Sequence, residues 1–472
     1  MHKSMGTIQA ASPAGMYPDA VPSLGFAWEL AQNVEFTSGM VRASGDRSLA
    51  LSNTEAFPVR GLGALRTNAG VQELYFGTLS TLYRSVALSP AAAVGTGFSA
   101  EAQETSTHPA GHWAFVPWGE WMLASNGTDP VQVRKGTGNF APLLEGGTGA
   151  LPFTRARLLA RSGPHVLAAN FNNGPSEIRW CSADDIESWY PATTNTAGEY
   201  TIRDTDSELI AWKPLGDRLA VYTRDAMYTI SYIGAPFVFS VLPALNGIGA
   251  WGQESVASVG RENYGWGPSG FFQTDGTQFQ YIADASIKNW VSTRAWEAQA
   301  SKIVAFNNEK KHRVEWYYPV NDLSECLEGV AFDYVTKAWI FLSTGYSAVL
   351  ERDVFQYPLG AEAGSNIYAM NSGSYVQSAE LMSRPLDFGA SSRGKFLAEL
   401  RALYTGSVFV RIGFHENLTD TPTWLPLTAL TGDWDLVEIL RTAKYFRVNF
   451  LGTGPWALTA FEFFGRGGGL QK

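Results

Sequence analysis

Apolar and polar residues alternate in short runs along most of this chain. Arg218-Leu219-Ala220-Val221-Tyr222 and Met227-Tyr228-Thr229-Ile230 are representative. A period near two predicts strands with one face covered, and adjacent apolar pairs predict strands packed on both faces. From about residue 65 the runs recur as hairpins, each an apolar strand, a polar turn and a second apolar or aromatic strand. Copies begin near Leu74, Trp121, Val166, Leu219, Tyr264 and Val314, at separations of 47, 45, 53, 45 and 50 residues. A multi-strand repeat of about 40–50 residues is the signature of propeller blades. One small twisted sheet cannot bury both faces by itself, whereas about six stacked radially cover one another and leave only short edges. The pairs Asn126-Gly127, Asn173-Gly174 and Asp275-Gly276 supply turn residues that tolerate positive φ.

The two ends follow a different grammar. The segment Gly25-Phe26-Ala27-Trp28-Glu29-Leu30-Ala31 reads as a short turn or helix leading into a hairpin around Ser38-Gly39. Near the C-terminus, Val408, Val410, Ile412 and Phe414 share one strand face. Phe446, Val448 and Phe450 share another, and Leu458 through Phe464 form a last strand before Gly465-Arg466-Gly467-Gly468-Gly469. The expected fold is therefore all-β: a β-propeller of about six blades followed by a small C-terminal β-sandwich. The expected divisions are residues 1–60 as an N-terminal segment and first hairpin closing the propeller, 61–360 as the propeller, and 361–472 as the sandwich. The best helix candidate is Ser286 to Gln299. Residues 95–112 and 192–207 are long, polar excursions from the blades and read as solvated connections or contact loops.

Composition agrees with this reading. The 472 residues include 48 glycines, 16 tryptophans, 19 tyrosines and 27 phenylalanines, which favours short strands and tight turns over long helices. In a propeller the aromatics mostly fill the wedges between blades. No run approaches the roughly 18 apolar residues of a membrane-spanning helix. Met1 to Met16 has no basic run followed by an apolar core, so no secretory signal is expected. Cys181 and Cys326, the two cysteines, form no disulfide framework and lack metal-ligand spacing. The net charge of −9 disfavours tight binding of nucleic acid. The densest basic run, Lys310-Lys311-His312-Arg313, reads as a solvated hairpin turn.

Candidate chemistry is sparse. Gly265-Trp266-Gly267-Pro268-Ser269-Gly270 matches a dinucleotide fingerprint by letter, but Phe271-Phe272-Gln273 and a turn follow where a helix is needed. His108 and His112 stand four apart, with Pro109 and Gly111 arguing against the helix that would pair them on a metal. Asp204, Asp206 and Glu208 alternate as in some calcium loops, without the central glycine and distal glutamate. Asp184, Asp185 and Glu187 could in principle serve glycoside hydrolysis. No nucleophile elbow occurs. The sequence thus assigns no catalytic, cofactor-binding or metal-ligating residue, and the chain is not expected to be an enzyme.

Several segments together resemble a family. They are Asn33-Val34-Glu35-Phe36-Thr37-Ser38-Gly39 with Arg42 and Gly45; Trp118-Gly119-Glu120-Trp121 through Val133; Arg179-Trp180-Cys181-Ser182 with Asp185 and Trp189; and, most telling, Pro214 through Phe239 into Gly247-Ile248-Gly249-Ala250. Phe271 to Gly276 and Tyr334 to Trp339 follow in order. The chain resembles the tail nozzle, or tail hub, proteins of short-tailed bacteriophages, also called packaged-DNA stabilisation proteins. The resemblance covers about residues 20–345 and rests on blade motifs. It implies a structural virion protein in a six-fold ring of its own copies below the head-to-tail adaptor and portal assembly. Such a ring encloses the DNA-ejection channel, carries tail fibres or tailspikes, and in some cases meets a needle or plug protein. Double-stranded DNA would pass transiently, no cofactor or membrane span is expected, and the location would be the virion tail, assembled in the host bacterial cytoplasm. An acidic chain suits a conduit that touches DNA without holding it. Two other readings fit the residues: a glycan-binding or glycan-cleaving propeller, and a scaffolding bacterial propeller unrelated to phage.

Overall fold

The computed structural model describes every residue except 1–2, 20–25, 45, 53–56, 97–111, 205–206, 284–285, 321–324, 365, 373–374, 377, 390–391, 432–434 and 467–472. Six of its sheets follow the repeat. Each contributes four antiparallel strands in chain order, within residues 61–96, 114–142, 156–201, 211–246, 256–281 and 304–342. These are blades 1 to 6. The six sequence copies coincide with the second strand of each blade: Gln72–Gly77, Trp121–Ser125, His165–Phe171, Arg218–Tyr222, Glu262–Gly267 and Arg313–Pro319. Those strands are buried almost end to end because a neighbouring blade covers each face.

A seventh blade completes the ring. Its strands Ala348–Leu350, Leu359–Ala361 and Ile367–Met370 are joined on the outside by Asp46–Leu51 from the other end of the chain. The innermost strands of the seven blades neighbour one another in order, and the seventh returns to the first. The propeller therefore has one blade beyond the six copies visible in the sequence. Its own strands are only three or four residues long, too short to show a period. In the closing ladder Ile367 faces Leu51, Tyr368 faces Leu49 and Met370 faces Arg47. The Arg47 guanidinium lies 4.2 Å over the Tyr368 ring and ion-pairs with Glu362.

The terminal sandwich takes strands from both ends. One sheet runs Val34–Thr37, Met40–Ala43, Trp456–Arg466, Lys395–Gly406, Asp435–Ala443, with Lys3–Gln9 added beside Trp456–Arg466. The other continues blade 6. Trp339–Leu342 pairs in parallel with Trp28–Gln32, which pairs with Ala379–Ser383, and Tyr445–Gly452 and Phe409–His415 follow. The inner faces meet at Phe450 and Phe461, whose ring centroids are 5.3 Å apart. Phe446, Val448 and Phe450 are fully buried there, as their shared face predicts.

Three local expectations change. Trp28–Gln32 is a strand, because sheets on both sides offer it hydrogen bonds. The hairpin around Ser38-Gly39 belongs to the sandwich, and only Asp46–Leu51 closes the propeller; the propeller in turn runs past residue 360 to Met370. Of residues 286–299 only Lys288–Ser292 is α-helical, followed by a 3-10 segment, Glu297–Lys302. Gly25, Gly45, Gly467-Gly468-Gly469 and most of the 95–112 excursion lie outside the described residues. The 192–207 excursion supplies the outer strand of blade 3, Gly198–Thr201.

Asn33 holds the two bodies together. Its backbone is left-handed (φ 50°), a conformation asparagine tolerates better than most residues. Its side-chain amide donates to Ser343 Oγ at 2.7 Å on the propeller side and to the Ser378 carbonyl at 2.8 Å on the sandwich side, and its Oδ1 accepts from the Ser343 amide at 3.1 Å. Replacement Asn33→Ala leaves these buried groups unpaired, so a loss of about 2–4 kcal/mol in denaturant unfolding is expected. Ser38→Ala, in the exposed turn of the neighbouring hairpin, should change stability by less than about 0.5 kcal/mol.

Candidate functional site: the propeller axis

Seven innermost strands starting from one face of a disc bring their leading residues around one axis. Arg60 precedes the inner strand of blade 1, His112 that of blade 2, Glu254 that of blade 5 and Lys302 that of blade 6. Arg60, Lys302 and Glu254 are held in ion pairs. Arg60 donates through both Nη atoms to the Glu325 carboxylate at 2.6 Å each, and Lys302 Nζ stands 3.9 Å from the same carboxylate. Lys213, on the inner strand of blade 4, donates to Glu254 at 2.6 Å. Burial opposes the Lys213 charge, but Glu254 and Glu351 outweigh it and raise its pKa. A cavity of about 340 Å³ lies between the inner strands, lined among others by Arg60, His112, Arg161, Lys213 and Glu254. That volume suits waters or one small molecule. It does not admit a duplex whose major groove alone is about 12 Å wide.

His112 is 5% exposed. Burial, reinforced by the nearby charges of Arg60, Arg157 and Lys302 and opposed by Glu254, pushes its pKa down to about 4. The imidazole is therefore neutral at ordinary pH. It lies at the start of an inner strand, held by packing, and its sequence partner His108 is outside the described residues.

The other residues weighed for chemistry have structural roles. Gly267-Pro268-Ser269-Gly270 is the turn between Glu262–Gly267 and Gly270–Thr274, with no helix after it. A Cβ on Gly267 would sit 2.1 Å from the Gly249 carbonyl oxygen, and Gly270 has φ +128°, so close packing and a tight turn account for both glycines. Asp185 caps its own turn by accepting from the Glu187 amide, while Glu187 ion-pairs with Lys135 of blade 2. Asp204 accepts from the Tyr228 hydroxyl at 3.3 Å, and Glu208 pairs with Arg157 at 3.4 Å; Thr205 and Asp206 are outside the described residues. Among the described residues no group of three or more His, Cys, Asp or Glu side chains could hold a metal. Cys181 and Cys326 are both buried and unbridged, and burial pushes the Cys181 thiol up to about 12, so it is not a nucleophile at neutral pH.

The basic run Lys310-Lys311-His312-Arg313 forms a turn, as expected, and Lys310 and His312 are exposed there, but the other two side chains are not solvated. Lys311 donates to Ser44 Oγ at 2.8 Å and stands 3.3 Å from Glu35; Arg313 is buried and donates to Glu315 at 2.6 Å. Burial by itself would raise the Glu35 carboxyl, yet Lys311, Arg313, Arg42 and the Ser44 hydroxyl together hold it at about 2. This cluster ties the N-terminal hairpin to blade 6. The sequence pattern marks its charges but not the partners they meet.

The chain matches no family model and no curated protein. Solved structures similar to it include the Neurospora crassa Pan2 WD40 domain, at 9% identity with 70% of this chain and 97% of that chain covered and a TM-score of 0.42. The computationally designed Ika8 protein aligns at 12% identity, covering 69% of this chain and 99% of its own, with a TM-score of 0.39. Virginiamycin B lyase from Staphylococcus aureus aligns at 9% identity, covering 69% and 98%, with a TM-score of 0.40. Likenesses this distant say nothing of activity. The propeller rests on the strand pairing itself.

The lowered His112 pKa has a sign. The unfolded imidazole takes up a proton near pH 6.5 and the folded one only near 4, so its contribution to stability is present above 6.5 and is lost as pH falls towards 4. Between pH 7 and 4 the wild type should lose up to about 3 kcal/mol from this group, a dependence that His112→Gln removes in paired unfolding curves.

Proposed function

We propose that this chain is a structural subunit of a short-tailed bacteriophage tail, the nozzle or hub component. In this role its copies form a six-fold ring below the head-to-tail adaptor and portal assembly, enclose the ejection channel and anchor fibres or tailspikes, with a needle or plug protein as a further partner. The supporting observation is where the segment that most resembles the family lies. Residues 226–246 build a hairpin of two nine-residue strands in blade 4, longer than the strands of the other blades, with exposed apolar side chains and no charge. That is equipment for contact with a protein. Of the carboxylates that prompted a glycan-active reading, Asp184, Asp185 and Glu187, the last two are engaged in a turn and a contact between blades.

The closed propeller axis constrains this role. The cavity between the inner strands, about 340 Å³, is too small for a duplex, so DNA must pass through a bore formed between subunits. With a net charge of −9 the surface lining that bore is expected to be acidic or neutral, which lowers friction against phosphates. Electron microscopy of the phage particles should show this chain as a symmetric ring under the adaptor. Finding it in particles only as an isolated monomer, or finding a continuous Lys/Arg-lined bore, would contradict the proposal.

A further inference from the structure

The blade-4 hairpin carries the most exposed large apolar side chain of the described residues. Phe237, at its tip, is 73% exposed, and Tyr232, Ile233 and Leu242 are 56%, 54% and 58% exposed. From Ala226 through Asn246 there is no Asp, Glu, Lys, Arg or His. The third strand, Ala226–Gly234, has nine residues where the second, Arg218–Tyr222, has five. Four extra residues give about 13 Å of reach. The hairpin is also braced. Beneath the tip, Phe239 packs on Trp180 and His165 of blade 3, each at 5.3 Å between ring centroids. A rigid, exposed, uncharged tip has paid little ordering cost before it binds.

A hollow that fits this tip lies elsewhere on the same chain. Beside blades 5 and 6, Trp251, Trp266, Phe271, Trp296, Ala300 and Tyr318 line a pocket of about 170 Å³. An apolar cavity of about 150 Å³ accepts one benzene ring. The pocket therefore has room for one phenyl group, with aromatic edges and faces to pack against it. Knob and hollow are on opposite faces of the disc. The pocket lies by the turn joining the second and third strands of blade 5, at Pro268, and the tip joins the third and fourth strands of blade 4. Arg224, in the turn between the second and third strands of blade 4, sits over the pocket's Trp251 at 5.4 Å, at the end of the hairpin away from its tip.

We infer that the tip of the blade-4 hairpin docks into the aromatic pocket beside blades 5 and 6 of a second copy of this chain, with Phe237 as the inserted group. Different patches on opposite faces make a heterologous contact, which propagates head to tail and closes into a ring when the rotation allows. The inference rests on the proposed ring and supplies its contact.

The test uses the full chain and two variants at exposed positions, so neither is expected to disturb folding: Phe237→Asp, which removes the knob, and Ser292→Trp, at the pocket lip, which fills the hollow. Sedimentation velocity should show a wild-type oligomer. Each variant should associate at least about 30-fold more weakly. Mixing the two variants should restore one intact contact per pair and give a two-chain species and nothing larger. If both variants remain as oligomeric as the wild type, this docking is wrong while the ring reading stands. A wild type that is monomeric at high concentration, whether free or sedimenting with phosphatidylglycerol vesicles, overturns both.

Discussion

Asn33 satisfies a buried polar seam from both sides, and the rest of the architecture depends on that. Its amide bonds to Ser343 at the end of blade 6 and to Ser378 at the start of the sandwich. Its left-handed backbone ends the strand Trp28–Gln32 and turns the chain into the hairpin Val34–Ala43. The chain then enters Asp46–Leu51 already beside blade 7. Glu35, Lys311 and Ser44 secure the same corner with charge. One strand thus makes blade 6 and the sandwich a single ten-stranded sheet, and a few residues later another strand closes the propeller. Both steps pair segments from opposite ends of the chain, so each carries a large loop-closure entropy cost.

Charge is used in two ways. Inside, cations and carboxylates are matched: Arg60 with Glu325, Lys213 with Glu254, Arg313 with Glu315, Lys311 with Glu35. Removing one partner from such a pair strands the other without water, so these clusters specify position more than they add stability. The apolar hairpin of blade 4 carries no charge and takes no part in these pairs.

Local residue order carried much of this. The apolar runs in the second strands of six blades are strong because both faces are covered and each strand is five to seven residues long. The inward face of Phe446, Val448 and Phe450 was equally legible. So was the failure of the Gly265–Gly270 motif as a nucleotide site, since the residues after it cannot form the helix that site requires. What was illegible depended on distant partners. The seventh blade has strands too short for a period, and its fourth strand begins over 300 residues earlier. Within the run Lys310 to Arg313, Lys311 looks solvated until Glu35 and Ser44 arrive from the N-terminus.

The amino-acid order by itself therefore determined the all-β class, the repeat and the turns, because strand alternation and turn chemistry act over two to six residues. Tertiary structure alone decided the seventh blade, the division of the first sixty residues between two bodies and the pairing of charges around the propeller axis. Each of these is a contact between residues far apart in the chain, and no local pattern encodes which distant surface will cover a strand edge or meet a buried charge.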